Sequence, residues 1–232
     1  MPHLDIRLKT VAKQIQADCH ADIGSDHGNL LVALLKTGRI KSAIAVENKR
    51  LPFENSQKAL KGLRGEARLA DGLNGIAAGE VDSLSICGMG GRSMVTIMES
   101  HPDRIPSRFV LQPNRDEDRV RRWAMQNGFH LVEEHLAWNR RPYTVLTYRS
   151  ASGTDPAYDE MDDEAAFMFG PINIRRREPA FVDQLIREHQ YLCRLTRLND
   201  SSHKRFALIA SILDQYKIDA SRHSISDSKW DS

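Results

Sequence analysis

Cysteine is scarce in this 232-residue chain, and Cys19, Cys87 and Cys193 stand far apart, odd in number and without metal-ligand spacing. That pattern argues against a disulfide framework or a zinc site and for reduced thiols in a cytoplasmic protein. A surplus of one charge is missing too, because the formal net charge is only +2. No global basic field then points to nucleic acid, and any such partner must meet local positive charge. No run of about eighteen apolar residues occurs, and the opening "MPHLDIRLKTVAKQ" has no long apolar core. The chain is therefore expected to be soluble, neither secreted nor membrane-spanning. Internal repeats of about twenty to fifty residues are also absent. What is present is a composition 41% hydrophobic and 28% charged, enough for one ordinary domain and an appendage.

Two kinds of segment alternate along the first two thirds. Leu8, Val11, Ala12 and Ile15 recur at helical spacing, "CHADIG" reads as a short strand, and "NLLVALLKTG" is an apolar helix closed by Gly38. Strand "SAIAVE", helix "PFENSQKALKGL", strands "ARLADG" and "DSLSICG", a helix from Arg92 to Glu99, strand "SRFVLQP" and helix "DEDRVRRWAMQNG" follow. The last two β-rich runs, "FHLVEEHLAW" and "PYTVLTYRS", have no helix between them. They should pair antiparallel, with the final strand inserted against its neighbours. The pattern predicts an α/β fold with a seven-stranded, largely parallel sheet covered on both faces, over residues 1–155.

Beyond Ser150 the character changes. "ASGTDPAYDEMDDEA" suggests a connector. Val182, Leu185, His189, Leu192 and Thr196, then Phe206, Ile209, Leu213 and Tyr216, predict a C-terminal helical hairpin within an extension over 156–220, with Ser201 or Ser202 as N-cap of its second helix. Residues 221–232 form a polar tail.

The stretch "HADIGSDHGNL" (20–30) carries the chemistry. A strand ending at Gly24 and turning into a helix near Gly28 offers unpaired N–H groups beside a bend without side chains, where a flat polar cofactor can approach the backbone. The G-x-G step of a dinucleotide-binding loop is missing, and Asp26 stands where its middle glycine would be. A second carboxylate is awkward for a pyrophosphate but attractive to a sulfonium and an ammonium, which favours S-adenosylmethionine over NAD. Glu47 ends the second strand, where an acid can accept from both hydroxyls of a ribose. Asp71 ends the third, where a carboxylate can accept from an adenine amine while Gly72 gives access. "ICGMGG" ends the fourth with an open glycine floor where a substrate ring could lie. Asp22 is placed to brace the loop, and Cys87 lies on the floor without any need for a nucleophile. Each glycine or acid alone also suits ordinary turn geometry and helix capping; their order carries the weight.

The runs "RLKTVAKQI", "ADIGSDHGNL", "AIAVEN", "ARLADGL", "SICGMGG", "LQPN" and "FGP" together resemble the bacterial tRNA adenine-22 N1-methyltransferases, from about Arg7 to Pro171. The chain departs from that pattern at "DHGNL" and "AVENKRLPF" and in the shortened segment before "ARLADG". The resemblance implies a Rossmann-like class I methyltransferase domain with a coiled-coil-like extension, and transfer of a methyl group from S-adenosylmethionine to N1 of adenine 22 in tRNA. Cofactor contacts are then expected from Asp22, Gly24, Ser25, His27, Gly28, Glu47, Asn48, Asp71, Gly72, Leu73, Gly88 and Met89. Asp26 is the candidate catalytic carboxylate, stabilising the cationic base and taking an N6 proton; its alternative role is a cofactor contact or helix cap. Gly90, Gly91 and Asn114 are expected around the substrate, with no metal.

N1 lies on the pairing edge, so the base must be extruded and the RNA held. Arg7 with Lys9, Arg140 with Arg141, Arg175 to Arg177, and Lys204 with Arg205 are candidate phosphate contacts, although a charge run is often only a solvated face. A monomer or weak homodimer is expected. The competing readings are a methyltransferase acting on another nucleotide or small molecule, a noncatalytic RNA-binding module and, more distantly, an NAD-binding oxidoreductase.

Overall fold

The computed structural model describes residues 2–139 and 141–220; Met1, Arg140 and the tail 221–232 lie outside the described residues. Of the apolar positions spaced for a helix near the start, Val11 and Ile15 are buried. Val11 belongs to α1 (Ile6–Gln14), whose first turn is capped by the Asp5 carboxylate accepting from the Leu8 N–H at 2.8 Å. Strands and helices then alternate: β1 (Ala17–Ile23), α2 (Asn29–Lys36), β2 (Ile40–Glu47), α3 (Arg50–Leu60), β3 (Gly65–Leu69), β4 (Ser83–Cys87), α4 (Gly91–Ser100), β5 (Arg108–Gln112) and α5 (Glu117–Gln126). The antiparallel pair β6 (Phe129–Asn139) and β7 (Arg141–Ser150) completes the sheet.

Strand order is β3-β2-β1-β4-β5-β7-β6. The first five strands are parallel, and β7 runs antiparallel between β5 and β6, as the missing helix predicts. Because β1 pairs in parallel with both β2 and β4, the order in which strands are added reverses there, and that is where a crevice opens at the carboxyl ends. One sheet face, with Ala43, Ala45 and Val110, packs against Val11 of α1 and against Leu30, Leu31 and Leu34 of α2. At the far end, Phe109 meets Phe129 edge-on at 4.9 Å and stacks on Tyr148 at 5.3 Å, clamping β5, β6 and β7 together. Such pairs contribute about 1 kcal/mol each beyond their buried area. The Arg121–Glu134 ion pair, with bonds of 3.0 and 2.8 Å, joins α5 to β6 inside this region.

The third strand stops earlier than "ARLADG" suggests. Gly72, at φ +54, turns the chain into a short 3-10 segment (Gly72–Gly75), so Asp71 and Gly72 follow the strand end instead of belonging to it.

The chain folds as two compact units, Met1–Ala157 and Tyr158–Ser232. In the second, the end of the expected connector is helical: α6 (Asp163–Phe169) begins at Asp162, which accepts from the Ala165 N–H at 2.8 Å; beyond the connector, α7 (Pro171–Arg176) starts on a proline. The hairpin consists of α8 (Pro179–Cys193) and α9 (Asp200–Gln215). Its buried stripe on α8 is Phe181, Leu185, Ile186 and Leu192, whereas Val182 is only half-buried and Thr196 lies past the helix end. Asn199, not Ser201 or Ser202, is the N-cap of α9; its side-chain oxygen accepts from the Ser202 N–H at 2.9 Å, so both serines sit within the first turn.

Candidate active site

The turn between β1 and α2 is built from three left-handed residues, Gly24 (φ +75), Asp26 (φ +58) and Gly28 (φ +64). A Cβ on Gly24, at φ +75, would be strained and would sit 2.4 Å from the Met89 methyl, forcing that flexible side chain of the turn after β4 to move. Asp26 holds a conformation that aspartate tolerates better than most residues. Its N–H donates to the buried Glu47 carboxylate, and its own side chain is 70% exposed, with His27 Nε2 at 3.5 Å. The loop is further tied to β2 by the Gly24 N–H bonding to the Val46 carbonyl at 2.8 Å. Beyond β2, Asn48 Nδ2 donates to Asp71 Oδ1 at 3.1 Å. Hydrogen bonds thus join the tip of β2 to the turn after β1, and the chain following β2 to the chain following β3.

A cavity of about 440 Å³ opens at this edge, lined by Asp22, Gly24, Ser25, Asp26, His27, Gly88 and Met89 from the expected set, and by Arg7, Leu8, Asn29, Leu30 and Cys87. Asp22 is buried and accepts from the Ser85 hydroxyl at 2.6 Å. Burial raises its pKa, against the pull of the Ser85 and Ser25 hydroxyls and the Arg7 guanidinium. Burial also pushes Glu47 up to about 7, against the Asp26 N–H, while the Asp22 and Asp26 charges raise it further. The Cys87 thiol is driven well above its ordinary value by burial and is a protonated wall, not a nucleophile.

Several expected positions take other places. Arg7, grouped with phosphate contacts by its charge, lines this cavity; its Nη1 donates to Gln112 Oε1 at 2.5 Å. Leu73 is fully buried, so its side chain belongs to the core and only its backbone is left for a ligand. Gly72 lies under α4, where a Cβ would come within 3.2 Å of Ile97. Gly91 is not open floor: a Cβ there would fall 2.2 Å from the Asp116 carbonyl, and its N–H bonds to the Arg115 carbonyl at 2.8 Å. Gly90 faces Arg115, with 3.1 Å from a built Cβ to its Nε. Asn114 braces the β4 turn, its Nδ2 donating to the Gly88 carbonyl at 2.6 Å. Arg175 and Arg176 belong to α7 of the second unit and are exposed.

The basic pair near the hairpin turn is engaged inside that unit. Lys204 Nζ meets Glu164 at 2.6 Å, and Arg205 binds Glu188 through two nitrogens and lies over the Phe169 ring at 4.6 Å. Arg177 stacks on Tyr216 at 4.5 Å. In the first unit, Arg141 lies over Tyr143 at 4.7 Å.

Sequence reasoning missed His20, Ser83 and Ser85, which stand behind Asp22, and Gln112, which holds Arg7 and Gly88. The available signal was a two-residue period: His20 and Asp22 alternate on β1, as Ser83 and Ser85 do on β4. Among the described residues, no cluster of three or more His, Cys, Asp or Glu side chains could hold a metal, and no helix is long and apolar enough to cross a membrane.

A methyltransferase domain family matches residues 4–146. The chain is 32% identical over 196 residues to the tRNA (adenine(22)-N(1))-methyltransferase of Bacillus subtilis, covering 81% of this chain and 82% of that protein. The crystal structure of the B. subtilis m1A22 tRNA methyltransferase TrmK superposes with a TM-score of 0.78 at 27% identity, covering 93% of this chain and 97% of that one. The Streptococcus pneumoniae protein Sp1610 in complex with S-adenosyl-L-methionine gives 0.81 at 29%, covering 91% of this chain and all of the other. With the motifs in order, the seven strands in place and a relative of that identity matched over four fifths of its length, this chain belongs to the tRNA (adenine(22)-N1)-methyltransferase family.

Proposed function

We propose that this protein transfers a methyl group from S-adenosylmethionine to N1 of adenine 22 in tRNA. The observation that supports it most is the row of acids at or just after neighbouring strand ends: Asp22 lines the cavity together with Arg7, while Glu47 and Asp71, outside its lining, bond to the Asp26 N–H of the cavity's loop and to Asn48. These residues fit the cofactor's parts. Asp22 and Arg7 offer an anion and a cation to an amino-acid end, Glu47 accepts from ribose hydroxyls, and Asp71 accepts from an adenine amine. Gly24, Ser25, His27, Gly88 and Met89 form the surrounding wall; Gly28, packed against Ser56 and Ala59, shapes the loop from behind, Asn48 holds Asp71, and Gly72 and Leu73 contribute backbone. The bound cofactor supplies an electrophilic methyl group on a sulfonium.

The protein's own work is alignment and charge. The glycine turn after β4, braced by Asn114 and Gln112, leaves room for the target ring, with Gly90 at its margin and Gly91 as the packing point behind it. Holding N1 at near-attack distance removes most of the entropic barrier. Methylation makes the ring cationic, and Asp26 stabilises that charge as it grows and takes the N6 proton. Its backbone is fixed beforehand by Glu47, so little reorganisation is needed.

Arg175 and Arg176 are the proposed phosphate contacts of the helical unit. The protein works in the cytoplasm, where tRNA is met, as a monomer or weak homodimer. The test is incubation with labelled S-adenosylmethionine and unmodified tRNA, followed by mapping of the label. Methylation at N1 of position 22 is expected; unlabelled RNA, or label elsewhere, overturns the reading.

A further inference from the structure

Four polar side chains occupy the middle of the sheet, where parallel strands normally carry valine, leucine or isoleucine. His20 pairs in register with Ser83, and Asp22 with Ser85, so all four alternate onto one face. It is the face that carries Ala43 and Ala45 against α1 and α2. His20, Ser83 and Ser85 are 0%, 3% and 0% exposed, and none of them reaches the cavity. Burying such groups is costly unless every one is hydrogen-bonded, and they are: Ser83 Oγ lies 2.6 Å from His20 Nδ1, His20 Nε2 lies 3.0 Å from Ser85 Oγ, and Ser85 Oγ lies 2.6 Å from Asp22 Oδ1.

Counting protons fixes the direction of this chain. Burial alone raises the Asp22 pKa, but with the ammonium group bound Asp22 carries its charge and only accepts, so Ser85 gives it its single proton. The Ser85 oxygen can then only accept from His20, which requires the proton on Nε2. Nδ1 is bare and accepts from Ser83. Burial pushes the His20 pKa down to about 3, consistent with a ring that carries one proton.

We infer that His20 is a positioning residue for the cofactor's amino-acid end: through Ser85 it locks one oxygen of Asp22 and leaves the other to receive the ammonium group. This rests on the proposed use of S-adenosylmethionine. The order Ser83, His20, Ser85, Asp22 carries polarity from the buried sheet to the cavity without exposing a titratable ring there.

The experiment compares two ligands by calorimetry. S-adenosylhomocysteine has the amino-acid end, and 5′-methylthioadenosine has the same nucleoside and thioether without it. Ser85→Ala and His20→Leu are each expected to weaken S-adenosylhomocysteine about tenfold, the size of one lost charge-assisted hydrogen bond, while methylthioadenosine stays within about twofold. His20→Gln, whose amide can donate to Ser85 and accept from Ser83, should restore affinity to within about threefold of the native protein. Nitrogen NMR of His20 should show a protonated Nε2 and a bare Nδ1. Unchanged S-adenosylhomocysteine binding in Ser85→Ala, equal loss of both ligands, or a proton on Nδ1 overturns the inference. If His20→Leu does not fold, Ser85→Ala, which removes one oxygen, decides the matter. Failure of the native protein to bind S-adenosylhomocysteine is a different result; it overturns the proposed cofactor and this inference together.

Discussion

The two units use polar side chains in opposite ways. In the first, hydrogen bonds reach across the chain, from Arg7 to Gln112, from Asp26 to Glu47 and from Ser85 to Asp22, and they meet at one edge of the sheet. In the second, charged groups are satisfied within the unit: Lys204 by Glu164, Arg205 by Glu188, and Arg177 by the Tyr216 ring. Long-range bonds between strand ends build a site, whereas contacts confined to a helical unit consume the charge that a sequence displays. A cationic run therefore says less about RNA than does an acid at the end of a parallel strand.

The sharpest break between the units should come from Asp26→Ala. Turnover is expected to fall by about a hundredfold or more, in the range of lost acid–base catalysis, with S-adenosylhomocysteine affinity nearly unchanged. Retained turnover measured at saturating tRNA would remove Asp26 from the chemistry.

Stability offers the next contrast. The Arg121–Glu134 pair is 2% and 0% exposed, and Arg121→Leu, which removes the guanidinium from a buried carboxylate, should cost about 3–5 kcal/mol in denaturant unfolding. The Arg205–Glu188 pair, 33% and 24% exposed, should yield only about 1 kcal/mol or less on Arg205→Leu. Similar losses would mean that the units do not differ in how their ion pairs are buried.

Reversing charge with Arg175→Glu and Arg176→Glu together should raise KM for tRNA about tenfold at moderate salt and flatten its salt dependence, leaving cofactor affinity alone. If cofactor affinity falls equally, the helical unit does more than hold RNA.

A smaller effect should follow pH. Glu47, pushed up from an ordinary 4.5 to about 7, is favoured in its protonated form by folding. The stability it contributes is full below 4.5 and is lost as pH rises through 7. Ribose hydroxyls donate to the ionised form, so S-adenosylhomocysteine affinity should rise severalfold from about pH 6 to 8. Glu47→Gln should flatten both trends, read by thermal unfolding and calorimetry. Smallest of all, Lys204→Met should move KM for tRNA by less than about twofold, because its charge already faces Glu164.

The fold was legible because hydrophobic period and turn residues agree along the first unit, and the missing helix between "FHLVEEHLAW" and "PYTVLTYRS" even implied the antiparallel insertion of β7. The strand-end acids were legible because a parallel sheet places all its carboxyl ends on one side. The placement of Arg7 on the cavity was not legible, because nothing in a local run reveals that Gln112, over a hundred residues away, bonds its guanidinium. Gly91 looked like open floor because a glycine needed for a ligand and one needed for a backbone neighbour have the same letter; only the Asp116 carbonyl tells them apart. His20 escaped because cross-strand register, which aligns it with Ser83, is a property of two strands. The start of α6 was hidden in a segment whose acids also suit a connector, where Asp162 acts as a helix cap, and α7, beginning at Pro171, lies past that segment where no helix was expected.

The left-handed backbone at Asp26 has a practical corollary. Asparagine is among the few residues at ease in that conformation, so Asp26→Asn would keep the shape of the turn while erasing its charge. Such a variant is a natural decoy: a protein that should still grasp both cofactor and RNA yet stall, giving a way to capture the loaded assembly for imaging.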